Sequence, residues 1–108
     1  MDAEAPATDP TDDEGGPTVQ DAPERQRYEI AVDGEVVGFA EHHPIGDGVE
    51  VFPHTVVLPA HEGQGLAGRL VRYALDDARA RGVRVQPSCS YVAAWIDRHP
   101  DYQDLVAD

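Results

Sequence analysis

Cys89 is the only cysteine in the chain, and it stands in Pro87-Ser88-Cys89-Ser90, between the β-branched run Val83 to Gln86 and an apolar stretch with helical spacing. A helix starting at Ser90 or Tyr91 would direct amide N–H groups and the positive end of its dipole at the thiol, favouring the nucleophilic thiolate. Simple packing is the alternative, since free cysteine is among the most buried residue types. His54 alternates with Phe52, Val56 and Leu58 along one strand face. It reads either as a hydrogen-bonded core histidine or as a general base, which would need a proton donor within about 3 Å or one water away. Between these residues, Glu62-Gly63-Gln64-Gly65-Leu66-Ala67-Gly68 leads from a strand into the longest helix. Glycine weakens a helix at its nucleating end. A phosphate group would compensate, because absent side chains let backbone N–H groups approach it, with Arg69 and Arg72 adding positive charge. Without a ligand, the same glycines read as a tight packing turn. No following strand carries a ribose-binding acid at the expected distance, and no Lys-Ser or Lys-Thr follows the glycines, so dinucleotide-fold and P-loop readings are both disfavoured.

The elements that would position these residues are legible from pattern. Tyr28, Ile30 and Val32 alternate with polar neighbours, Asp33-Gly34 signals a two-residue turn, and Val36 to Ala40 resume the strand. After a break at 44–48, residues 49–58 read as a third antiparallel strand, bent or bulged at Pro53. Apolar residues Ala67, Leu70, Val71, Ala74 and Ala78 predict a helix over Gln64 to Arg81, with Asp77 placed to pair with Arg81 and Gly82 as the stop. A strand at Val83 to Gln86 completes a strand-helix-strand crossover, in which Thr55 to Leu58 would run parallel to it. A short helix follows, capped by Ser88 or Ser90 and closed by Pro100. The fold class is α/β, with about four strands.

Composition sets the limits. The chain has 108 residues and a net charge of −13, all eight of its positive charges being arginine. Residues 1–26 hold eight acids against one arginine, four prolines, and Val19 as the one large apolar residue besides Met1. This segment reads as a disordered acidic tail, leaving 27–108 as the domain. The acidity disfavours nucleic acid, whose affinity rests on clustered cations. No apolar run approaches the roughly 20 residues that span a bilayer, no secretory signal is present, and no disulfide can form within the chain, which together favour the cytoplasm. Five histidines lack metal-ligand spacing, so no metal site is expected.

The segment "VVLPAHEGQGLAGRLVRYALDDARARG" resembles the acetyl-coenzyme A signature of the GNAT acetyltransferases, with Glu62 where an arginine or glutamine is usual. "HTVVLP" together with "PSCSYVAAWIDRHPDY" resembles the small YjdJ-like single-domain branch of that family, over about residues 27–104. The resemblance implies a compact GNAT-like fold and acetyl-coenzyme A as acetyl donor. It implies that backbone groups of Val56, Val57 and Leu58 pair with the pantetheine arm as an added strand. Backbone N–H groups of Gly63, Gln64, Gly65, Leu66, Ala67 and Gly68, with Arg69 nearby, would hold the pyrophosphate. Cys89 and His54 would be the catalytic pair, the acetyl group passing to an amine directly or through Cys89. The acceptor would be an amine-bearing small molecule or a protein lysine. A non-catalytic acyl-coenzyme A binding module is the alternative, and a thiol hydrolase using Cys89 and His54 a third reading.

Overall fold

The computed structural model describes residues 16–107. Among them the elements run β1 (Thr18–Ala22), β2 (Arg27–Val32), β3 (Glu35–Glu41), β4 (His43–Gly46), β5 (Val49–Val51), β6 (Thr55–Val57), α1 (Leu66–Arg81), β7 (Arg84–Gln86) and α2 (Ser90–Asp97). Short 3-10 turns lie at Pro23–Arg25, Pro59–His61 and Pro100–Leu105. The strands form two sheets, ordered β1-β2-β3-β6 and β4-β5-β7.

The β2–β3 hairpin turns where the sequence predicts. Asp33 (φ 52°) and Gly34 (φ 84°) are both left-handed, the backbone that a two-residue hairpin loop of matching twist demands. Part of the segment expected to be disordered, residues 1–26, is instead a strand. Thr18–Ala22 pairs antiparallel with β2, Val19 opposite Ile30, and Val19 is only 1% exposed. A single large apolar residue suffices because an edge strand needs to bury one face only, and β2 supplies its backbone partners. Residues 1–15 lie outside the described residues.

The largest departure concerns the stretch 49–58. The sequence reading makes it one bent strand, parallel to Val83–Gln86 at its Thr55–Leu58 end; the structure divides it between the two sheets. Val49–Val51 forms β5, antiparallel to β4 and parallel to β7, whereas Thr55–Val57 forms β6, antiparallel to β3. The parallel partner of the post-helix strand is therefore β5 and not β6. Pro53 has no N–H to continue a ladder, so the chain can change sheets there. The expected break at 44–48 is also shorter, since His43–Gly46 pairs with β5 and the turn contracts to Asp47-Gly48.

Helix α1 packs on the first sheet with Leu66, Leu70, Val71, Ala74, Leu75 and Ala78 buried. It ends as predicted at Gly82, whose N–H donates to the carbonyls of Ala78 and Arg79. Its last turn is fastened to both sheets by a polar cluster. Arg81 reaches Asp77 (2.9 Å), Glu50 of β5 (3.0 and 3.1 Å) and the hydroxyl of Tyr28 of β2 (3.0 Å), and Tyr28 donates to Asp77 (2.6 Å). His42, stacked on Tyr28, places Nδ1 3.0 Å from Glu50. The helix axis is thereby fixed at its C-terminal end, which leaves its N-terminal end at the opening between the sheets.

Candidate active site

The site grows from the seam where the two sheets part. Beyond β5 and β7 the parallel ladder runs on, with Phe52 N–H donating to Gln86 O and Cys89 N–H donating to Phe52 O, both at 2.9 Å. One residue later Pro53 sends the chain to β3, where Glu41 N–H donates to His54 O (2.9 Å). The strand β6 and the segment carrying Cys89 therefore diverge, and β6 is left as an edge strand facing the gap.

Backbone alternation decides what that edge offers. Leu58 donates to Val37 O (2.8 Å) and accepts from His61 N–H (2.8 Å), so its backbone is already engaged. In an antiparallel pair the N–H and C=O of one residue point the same way and alternate along the strand. His54, Val56 and Leu58 thus serve β3, while Thr55 and Val57 face the open edge. Of the three residues expected to pair with an extended ligand arm, Val57 is the one with its backbone toward the gap, and Thr55 joins it.

The glycine turn lies at the far end of this edge. Gly63 (φ 84°) and Gly65 (φ 77°) are left-handed, a conformation that costs other residues roughly 1–2 kcal/mol. Gly65 occupies the N-cap of α1 without a side-chain cap, and the first intrahelical bond runs from Arg69 N–H to Gly65 O (3.2 Å). The N–H groups of Leu66, Ala67 and Gly68 consequently point out of the helix end unmatched by the helix itself. A cavity of about 220 Å³ opens in front of them, lined by Val57, His61, Glu62, Gly63, Gly65 to Gly68 and Tyr91. Gln64 and Arg69 stand outside this lining. A Cβ at Gly68 would lie 3.6 Å from Trp95 Nε1 and 3.8 Å from Tyr91 Oη, ordinary contact distances that show α2 packed against the start of α1. A diphosphate fits such a wall: amide donors, a helix N-terminus, and no acid in the first turn of α1. Glu62 is the one unfavourable charge.

Cys89 is itself the N-cap of α2, the place the sequence reading gave to Ser88 or Ser90. Its Sγ lies 3.7 Å from Thr55 Oγ1, across the seam, and the thiol is half-buried. Burial pushes the thiol pKa up, but the Val92 N–H, the Thr55 hydroxyl and the Tyr91 N–H favour the thiolate, and the balance falls below the ordinary cysteine value. The expected helix start after Cys89 is found at Ser90.

His54 is placed differently from either reading of it. It is exposed, neither a core residue nor joined to Cys89 by a hydrogen bond among the described residues. Successive side chains on a strand point to opposite faces. Since Thr55 faces Cys89, His54 faces the other side, beside exposed Val56 (40%) and Leu58 (44%). The bend at Pro53 is the cause: it breaks the alternation that linked buried Phe52 to His54 in the sequence. Two residues that sequence reasoning passed over, Thr55 and His61, enter the site instead. The Nδ1 of His61 is buried without a hydrogen-bond partner.

A family model described as GCN5-related N-acetyl-transferase matches residues 27–105. The chain belongs to this family. Solved structures agree on the fold of this GCN5-related domain. A GCN5-like protein from Staphylococcus aureus superposes with a TM-score of 0.66 at 19% identity, over 82% of this chain and 86% of that one. A GNAT-family acetyltransferase from Brucella melitensis, solved in complex with acetyl-CoA, gives 0.53 at 26% identity over 64% of this chain and 50% of its own. The N-acetylglutamate synthase of Neisseria gonorrhoeae, complexed with coenzyme A and N-acetyl-glutamate, gives 0.57 at 19% identity over 68% of this chain and only 18% of its own. The chain thus spans half or less of these two larger proteins. A comparison with curated proteins finds no significant match. Among the described residues of the GCN5-related domain no helix is long and apolar enough to cross a membrane, and no three His, Cys, Asp or Glu side chains are grouped to hold a metal.

Proposed function

We propose that this chain is an acetyl-coenzyme A dependent N-acetyltransferase in which Cys89 takes the acetyl group before passing it to an amine. The observation that carries the reading is the Cys89 thiol, held as the N-cap of α2 across the seam from Thr55, with its pKa lowered by the surrounding donors. The donor would lie along the β6 edge, its pantetheine arm meeting the backbone of Thr55 and Val57. Its diphosphate would meet the amides from Gly63 to Gly68, with Arg69 adding positive charge. Val56 and Leu58 contribute apolar side chains beside the arm rather than backbone bonds.

The chemistry balances without a further reagent. The Cys89 thiolate attacks the thioester carbonyl carbon, the bond from that carbon to the coenzyme sulfur breaks, and the departing thiolate is protonated by solvent. A neutral amine then attacks the S-acetyl cysteine, the C–N bond forms and the C–S bond breaks. The amine's surplus proton leaves to solvent, and the Cys89 thiolate is restored. His54, on the face of β6 opposite Cys89, takes no part in this transfer. The acceptor is an amine-bearing small molecule or a protein lysine, whose positive charge suits a chain of net charge −13. Placement in the YjdJ-like branch rests on the sequence resemblance over about residues 27–104. A free, activated thiol suits the reducing cytoplasm.

Intact-protein mass spectrometry after incubation with acetyl-coenzyme A tests the proposal. A labile single acetyl on the wild-type chain, absent from Cys89→Ser and discharged by added amine, is the expected result. Undiminished amine acetylation by Cys89→Ser would show direct transfer instead. Coenzyme binding with no transfer to any amine in a broad screen would leave only an acyl-coenzyme A binding module.

A further inference from the structure

His61 closes the 3-10 turn Pro59–His61, immediately before Glu62 and the glycine turn, and its side chain lines the cavity. Its backbone is pinned, the N–H donating to Leu58 O at 2.8 Å, so the imidazole can move only about its own side-chain bonds. In the observed orientation Nδ1 is shielded from solvent and meets no hydrogen-bond partner. Buried polar nitrogens are rarely left so, because each forfeits the hydrogen bond it makes with water in the unfolded chain. The terminal ring torsion of histidine is broad and roughly two-fold, so a turn about Cβ–Cγ is the easy route by which the ring can present Nδ1 elsewhere. The neighbours define what it would meet. The cavity wall beside it includes the backbone of Gly63 and of Gly65 to Gly68, an array suited to an anion, and Glu62. That carboxylate occupies a position where a cation would help hold a phosphate, and the wall needs a side-chain donor to offset it.

We propose that His61 is a binding residue of this site, its ring turning on ligand entry so that Nδ1–H donates to a diphosphate oxygen of the coenzyme. The inference rests on the coenzyme reading above and adds to it the side chain that compensates Glu62.

The test is a binding measurement with coenzyme A and, separately, pantetheine, which carries the thiol arm without phosphates. His61→Phe keeps a ring and removes the donor; His61→Asn returns an amide nitrogen near the place of Nδ1. A hydrogen bond to a charged group predicts that His61→Phe weakens coenzyme A binding roughly tenfold or more. His61→Asn should retain most of the affinity, and pantetheine binding should be the same in all three. In the wild-type chain, the imidazole nitrogen resonances of His61 should move on adding coenzyme A and stay put on adding pantetheine, a readout that needs no variant to fold. Equal coenzyme A affinity for wild type and His61→Phe, a loss shared with pantetheine, or unmoved His61 nitrogens at saturation would each overturn the assignment while leaving the coenzyme reading intact. A wild-type chain that binds no coenzyme A would overturn both.

Discussion

Replacing Gly38 by alanine probes whether β6 is held where its free edge must be. Gly38 of β3 pairs with Val57, and a Cβ there would lie 2.7 Å from Val56 O, 3.1 Å from Val57 Cγ2 and 3.2 Å from Ile30 Cγ2. The two methyl groups can give way, but the carbonyl belongs to the β3–β6 ladder. Reaching a C···O separation of roughly 3.3–3.6 Å from 2.7 Å requires β6 to retreat by about 0.6–0.9 Å. Overpacking of this kind costs about 1–3 kcal/mol. Gly38 is not among the positive-φ glycines, so alanine also gains about 0.4–1 kcal/mol by restricting the unfolded chain. With mid-range values the net loss is about 1.3 kcal/mol and at most about 2.6 kcal/mol, and with a urea slope of about 1.5 kcal/mol per molar the midpoint should fall by about 0.9 M and at most about 1.7 M. Coenzyme A affinity should fall too, because the retreat carries Thr55 and Val57 with it. Gly46→Ala is the control: no atom lies within 4 Å of its Cβ position, so neither stability nor affinity should drop. Equal urea midpoints for Gly38→Ala and wild type would refute the packing of β6 against β3 described above.

Three further outcomes are expected. Alkylation of Cys89 by iodoacetamide should rise with pH at lower pH than a free cysteine does, and Thr55→Ala should move the curve upward because the Thr55 hydroxyl stabilises the thiolate, whereas Thr55→Ser should restore it. Glu50 is held below the ordinary carboxylate range: burial opposes ionisation, but hydrogen bonds and charge from Arg81, then His42, outweigh it. Its contribution to stability is therefore present above the unfolded carboxylate pKa of about 4.3 and lost as pH falls through the folded value. Glu50→Gln should cost about 2–3 kcal/mol at neutral pH, below the full value of a buried pair because Arg81 is partly exposed, and urea midpoints of the two proteins should converge in acid. Val19→Ala should cost about 1–3 kcal/mol in the same assay, whereas a segment outside the core would register no change.

Legibility in the sequence followed the range of the interactions. The β2–β3 hairpin, the body of α1 and the start of α2 at Ser90 were readable because each is fixed locally, by Asp33-Gly34, by a 3.6-residue apolar period and by a turn that precedes one. Strand pairing was not, since nothing near Val49 or Thr55 states which distant strand accepts it. β1 was missed for a related reason: its composition resembles a solvated tail, and only β2 opposite Val19 makes it a strand. Within the candidate site, the glycine turn before α1 and the place of Cys89 before α2 were readable from local cues. Thr55 and His61 were not, because their importance comes from what lies across the seam and the cavity.

Pro53 ties these departures together. A residue without an N–H ends the β5 ladder at Phe52, whose own N–H and C=O are the last to bond the β7 side. Because the chain then joins β3, the two halves of one sequence stretch come to lie in different sheets, and the side-chain alternation is reset between Phe52 and His54. The reset turns Thr55, not His54, toward Cys89, with its backbone N–H as well as its hydroxyl serving the thiol, and it leaves the backbone of Val57 facing the open edge. The proposed function would use that gap, the ligand arm for its hydrogen bonds and the thiol for access to what the arm carries. A straight strand over the same residues would close the seam with its own ladder and bury the cysteine behind it. The glycines at the head of α1 make one wall of the cavity, and the proline ten residues before Gly63 sets the course of β6, whose Val57 makes another.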